Sequence, residues 1–181
     1  LLPGLLPACR DALAAADRFV AAAKQTLSEH VTEDGRVSST ALEQHQFAAH
    51  GFAWMATYVE ALRQSLGWAE RLENVGNLGD REALQLQMVF GEYLAQLAGG
   101  IAMSQGEVVR PADLGMDESE VEALRRSASG RLITRGNTAG ARADLADLIA
   151  ESPESGDFGN LDLDETLALI RDQFRRFSDE K

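Results

Sequence analysis

Between Thr40 and Val75 the apolar side chains keep a helical period over an unusually long stretch. Leu42, Ala49, Phe52, Ala56, Val59, Leu66, Ala69 and Leu72 fall on one face, and a continuous helix over this stretch would be a rod of roughly 50 Å at 1.5 Å rise per residue. A rod with one apolar face needs neighbours of similar length to cover it. Thr40 and Glu43 have capping-box spacing, in which each side chain satisfies a free backbone N–H at the helix start.

The flanking sequence supplies two such neighbours. From Pro7, the residues Cys9, Leu13, Ala16, Val20, Ala23, Leu27 and Val31 recur at three and four positions, and Glu33-Asp34-Gly35 supplies a stop. This predicts a helix over 7–31, with Pro7 in the first turn, where its missing N–H costs nothing. A third helix begins after Asp80 and carries Leu84, Phe90, Tyr93, Leu94, Leu97 and Ile101. Gly99-Gly100 then either ends it or is carried through to Gly106, at a cost of about 1 kcal/mol per glycine relative to alanine. Short polar links at 32–39 and 76–80 favour antiparallel neighbours. Gly51, Gly67 and Gly91 within these helices are read as points of close helix approach. The fold class expected is all-α: an antiparallel up-down bundle of long helices, without sheet, followed by shorter C-terminal helices.

Beyond Arg110-Pro111, where proline forces its predecessor to be extended, the elements shorten. Asp117 with Glu120 opens a helix to about Ala128, and Thr138 opens another to Ser152-Pro153. Residues 153–161, rich in Ser, Gly and acid, read as a linker. Asp162 with Glu165 then caps a segment whose stripe of Leu167, Ile170, Phe174 and Phe177 is still running at Lys181. That stripe, and a start on Leu1, lead us to expect a piece of a longer polypeptide. The domain reading is therefore 1–115 long-helix bundle, 116–152 short helices, 153–161 linker and 162–181 a further helix.

A hydrophobic fraction of 45% argues for a folded chain. A net charge of −12 repels phosphate backbones and anionic lipid, so neither nucleic acid nor membrane is expected as a partner. No apolar run approaches the roughly 18 residues of a membrane span. The opening LLPGLLPAC lacks the basic start of a signal peptide. The single cysteine, Cys9, closes no disulfide within the chain and fits a reducing compartment. A cytoplasmic location is the expectation.

Chemical motifs are sparse. His30, His45 and His50 lack Glu-x-x-His or zinc spacing, so no metal site is expected. Neither Gly99-Gly100 nor Gly130 to Gly136 has phosphate-loop spacing, and there is no Gly-x-Ser-x-Gly elbow. No catalytic or cofactor-binding residue is assigned. The stretch AAHGFAWMATYVEALRQ stands out, placing His50, Trp54 and Tyr58 four apart on one face, with Glu60 and Arg63 beyond. These three residues are the candidate interface. They either pack within the bundle with their polar atoms bonded to another helix, which is the expected outcome, or line a cleft or domain contact.

DETLALIRDQFRRFSDEK, with Ile170, Arg171, Arg175 and Phe177, resembles the opening helix of the N-terminal domain of the acyl-CoA dehydrogenase family. AAHGFAWMATYVEALRQ and VFGEYLAQLAGGIAMSQGEVVRPADLG resemble the N-terminal extension of the methylsuccinyl-CoA dehydrogenases, a branch of that family in the ethylmalonyl-CoA pathway. The resemblance implies a parent that binds FAD, abstracts the α-proton of an acyl-CoA with a Glu carboxylate and passes electrons to electron-transferring flavoprotein. It places those catalytic and flavin-contacting residues in later domains. The segment itself then has no cofactor and acts as a noncatalytic packing module against its own catalytic domains or the subunits of a homo-oligomer. The alternative is a freestanding acidic all-α module that binds a basic partner.

Overall fold

The computed structural model describes residues 1–151 and 159–179, and the chain is all-α. α1 (Leu5–Val31) begins two residues before the expected start, with Gly4 at its N-cap. Its inward face is formed by Cys9, Leu13, Ala16, Ala23, Leu27 and Val31, together with Ala12, Ala15 and Phe19. Val20 is half-buried at the edge of that face.

The second rod is not continuous. α2 (Ser39–Gln44) and α3 (Gln46–Asn74) are separated by His45, which lies outside helical geometry at φ −109°, ψ 23° and stacks its ring on His30 at 5.3 Å. The N-cap is Ser38, not Thr40, and its Oγ accepts a hydrogen bond from the Ala41 N–H. Ser38 is also where the chain leaves a β-hairpin, β1 (Thr32–Glu33) with β2 (Arg36–Val37), turned by Asp34 and Gly35 at positive φ. This hairpin corrects the expectation of a link without strands.

The buried face of α3 is also rotated from the expected stripe. Gly51, Met55, Val59, Leu62, Leu66, Ala69 and Leu72 are buried, whereas Ala49, Phe52 and Ala56 are half-buried and Leu42 is exposed. Gly51 accounts for the rotation at the N-terminal half. A Cβ there would lie 2.3 Å from Cγ2 of Val109, so the missing side chain lets that strand residue in on this side of the helix.

α4 (Asp80–Gly99) stops at Gly100, whose φ of 136° disfavours any side chain. A second hairpin follows, β3 (Ile101–Ala102) with β4 (Val108–Val109), again correcting the expectation of no sheet. Its inward Ile101 and Val109 are fully buried. Arg110 is extended, as its proline neighbour requires, and a 3-10 turn at Pro111–Leu114 leads to α5 (Glu118–Arg126). Asp117 caps α5 through its backbone, without a side-chain cap bond. α6 (Ser129–Arg135), absent from the sequence reading, precedes α7 (Ala139–Ala150), where Thr138 caps as expected by accepting from Ala141 N–H.

The direction of packing follows from the polar pairs along the seams. Arg10 meets Glu70 and Arg63 meets Asp17, so α1 and α3 run antiparallel. Tyr58 meets Gln96 across a link centred near Asn77, so α3 and α4 form a helical hairpin. One hydrophobic cluster joins these three helices to Leu114, Met116, Val121, Leu124 and Leu132, with Met55, Leu62, Phe90, Leu94, Leu97 and Leu132 fully buried. α8 (Glu165–Asp179) buries no residue, and its cap is Asp164, which accepts from Leu167 N–H, rather than Asp162. The expected linker core at 152–158 and the last two residues lie outside the described residues.

Candidate functional site

Four-residue spacing on α3 brings His50, Trp54 and Tyr58 together as the sequence pattern requires. The indole N–H of Trp54 donates to Nε2 of His50 at 3.0 Å, which leaves the neutral imidazole proton on Nδ1. Trp54 and Tyr58 meet edge to face with centroids 6.3 Å apart. Trp54 and Tyr58 are half-buried against the core, and His50 is exposed between two shallow depressions. Gln46, Phe47 and Glu107 line one of them, and Ala53, Trp54 and Thr57 the other.

The ladder continues into residues that the sequence pattern did not single out for this site. Tyr58 stacks on Tyr93 of α4 at 4.2 Å and 20°, and its hydroxyl donates to Oε1 of Gln96 at 2.7 Å. The Gln96 amide donates to Glu92 at 2.7 Å, and Asn137, between α6 and α7, donates to the other carboxylate oxygen at 2.8 Å. The amides of Gln96 and Asn137, with the more distant charge of Arg142, hold the Glu92 carboxyl below its usual range. Burial, then the neighbouring Tyr93 and Glu92, push the Tyr58 phenol up, so at neutral pH it stays protonated and donates. The only sequence signal for this half of the site was that Tyr93 and Gln96 lie three apart on α4.

Further along the same helix, Arg63 donates to both oxygens of Asp17 and to Glu60, tying α3 to α1. Its exposed position makes this a weak, salt-sensitive tie. Cys9 is fully buried, and burial pushes its thiol up to about 12, which suppresses the reactive thiolate.

FAD needs a backbone cradle for its diphosphate, and the glycines that resemble one are occupied by neighbouring backbone. A Cβ at Gly130 would lie 2.1 Å from the Arg125 carbonyl oxygen and one at Gly136 2.5 Å from that of Leu132. Gly99-Gly100 closes a helix instead of opening one. Among the described residues no group of three His, Cys, Asp or Glu is placed to hold a metal ion, and no helix is long and apolar enough to cross a membrane.

No family model matches the chain. It is 51% identical over 182 aligned positions to (2S)-methylsuccinyl-CoA dehydrogenase of Cereibacter sphaeroides, an alignment that covers 100% of this chain and 32% of that protein. The chain is a homologue of part of that dehydrogenase. It spans about a third of the length of this curated relative. The resemblance drawn from AAHGFAWMATYVEALRQ and its downstream partner segment therefore extends over the full chain, short helices included.

Proposed function

We propose that this chain is the N-terminal helical region of a FAD-dependent acyl-CoA dehydrogenase that oxidises methylsuccinyl-CoA to mesaconyl-CoA in the ethylmalonyl-CoA pathway, and that the region itself is a noncatalytic packing module. The observation that carries this reading is the alignment of the whole chain, at 51% identity, to about a third of a dehydrogenase of that substrate. The parent enzyme would be cytoplasmic, hold FAD in later domains and hand electrons to electron-transferring flavoprotein.

Two surfaces suit the packing role. One is the His50, Trp54 and Tyr58 face, which presents an exposed imidazole and half-buried rings beside the exposed Phe47. The other is α8, where Leu167, Ile170, Phe174 and Phe177 are all exposed, 72% in the case of Phe174, on a helix with marked apolar and charged sides. A stripe of this kind is what a following helical domain covers. Because the core closes without α8, the region would fold first and offer α8 to the catalytic domains or to another subunit.

Reading the encoding gene past Lys181 tests the proposal directly. A flavoenzyme frame continuing for several hundred codons is expected, and an immediate stop codon would overturn it. The whole polypeptide should then purify yellow and reduce electron-transferring flavoprotein with methylsuccinyl-CoA, whereas the 181-residue chain should retain no flavin after desalting. Stoichiometric flavin on the short chain would reject the noncatalytic assignment.

A further inference from the structure

Residues 159–162 lie against the α3–α4 hairpin, and polar bonds hold them there. The indole N–H of Trp68 donates to the Asn160 carbonyl at 2.8 Å, and the Asn160 N–H donates to Oε1 of Glu82 at 2.7 Å. Nε of Arg71 donates to Oδ2 of Asp162 at 2.5 Å. Two helices thus contribute three side chains to a strap of four residues, and Leu161 in its middle is 48% exposed. Hydrophobic burial does not hold it.

The backbone of the strap points the same way. Gly159 has φ 125°, open to glycine because it has no Cβ, and Asp162 φ 53°, a left-handed conformation uncommon outside glycine that aspartate tolerates, so the chain turns sharply at both ends of the strap. Asn160 stiffens the turn by accepting the Asp162 N–H on Oδ1 at 2.9 Å. Glu82 sits in the first turn of α4, where the helix N-terminus favours a carboxylate, so its oxygen is already in place to receive the strap. A Cβ on Gly159 would lie 3.0 Å from that oxygen. α8 starts three residues beyond Asp162, with Asp164 as its cap.

We propose that Trp68, Arg71 and Glu82 form a latch that clamps residues 159–162 to the α3–α4 hairpin and thereby fixes the point and direction in which α8 leaves the bundle. The latch is a positioning device built from this chain's own residues, and it stands whatever chemistry the parent protein performs. Releasing it would leave the point and direction of α8's departure from the bundle unfixed.

The test uses the 181-residue chain with spin labels at Gln64→Cys on α3 and Gln173→Cys on α8, both exposed, Cys9 being fully buried. The labelled chain should give a single narrow distance peak, with slow hydrogen exchange at the Asn160 and Asp162 amides. Combining Trp68→Phe, Arg71→Met and Glu82→Met removes the latch bonds while keeping side-chain bulk. It should collapse the narrow peak and abolish the amide protection. Should the triple variant fail to fold, Gly159→Val breaks the strap from its other side with the bundle sequence untouched, and should give the same loss. A distribution already broad in the parent chain, or one left unchanged in a variant that keeps its helical circular dichroism, would overturn the proposal.

Discussion

Gly91 and Gly67 both sit inside long helices, and the same added methyl group would meet different surroundings at each. At Gly91 a Cβ would lie 2.7 Å from the Asn137 backbone nitrogen and 2.9 Å from Gly136, so α4 touches the α6–α7 junction backbone to backbone. At Gly67 its nearest neighbour is the end of the Arg71 side chain at 3.5 Å, an ordinary contact, which corrects the reading of this glycine as a point of close approach. Gly91→Ala should therefore cost about 1–3 kcal/mol through overpacking. Gly67→Ala should gain up to about 1 kcal/mol by removing helix-interior flexibility. Urea unfolding with an unchanged m-value would measure both, and equal signs would contradict the geometry. Glu92 supplies a pH-dependent counterpart. Its carboxyl is held below the usual carboxylate range by the Gln96 and Asn137 amides, so the stability it contributes is present above the unfolded pKa and is lost as pH falls through the lower folded one. Glu92→Gln should thus be less stable than the parent chain at pH 7, with the gap closing as the solution is acidified. A gap that widens on acidification would reverse the sign.

The break between α2 and α3 shows what a periodic pattern conveys and what it omits. Existence and type of α1, α3 and α4 follow from apolar spacing, because a face of seven or more residues leaves little choice of partner geometry, whereas length follows for α1 but not for α3, read as one rod from Thr40, or for α4, whose end Gly99-Gly100 leaves open. The interruption at His45 carries no glycine or proline to mark it, and the cap falls on Ser38 because the preceding hairpin delivers that residue in extended conformation. Ser38→Ala should then cost about 1 kcal/mol, whereas Thr40→Ala, already inside the helix, should be neutral or slightly stabilising. Thermal melts of the two variants separate the assignments, since a capping box at Thr40 would give the opposite order. The two-strand hairpins were illegible for a related reason. Strands of two residues are too short to alternate, and they form where chain reversal between packed helices leaves backbone groups to be paired. In the same way His50, Trp54 and Tyr58 were legible as one face of one helix. Tyr93, Glu92, Gln96 and Asn137 were not, because they join that face only once the α3–α4 register and the Gly91 contact are set.

At the scale of the whole chain, the core and α8 differ in what substitution should do. Phe90 is fully buried at the centre of the cluster, and Phe90→Ala should cost about 3–5 kcal/mol. Phe174 is 72% exposed, and Phe174→Glu in the 181-residue chain should change unfolding free energy by less than about 0.5 kcal/mol. In a longer parent whose later domains cover α8, the same change should become strongly destabilising. Denaturant titrations of the two lengths side by side would read the difference, and a large loss already in the short chain would place Phe174 in its core instead. The antiparallel order of the bundle has a consequence for its synthesis. α1 leaves the ribosome with its apolar face from Leu5 to Val31 complete, yet the first surface that covers it belongs to α3, which ends only at Asn74, and the rest to α5 and α6 further along the chain. The wait between α1 and α3 is on the order of seconds at about 5–20 residues per second. Pro3 waits longer still for its bond from Arg131. The nascent amphipathic α1 is therefore open to chaperone capture in that interval, and slow codons placed before α3 would lengthen that exposure while those placed after α6 would not.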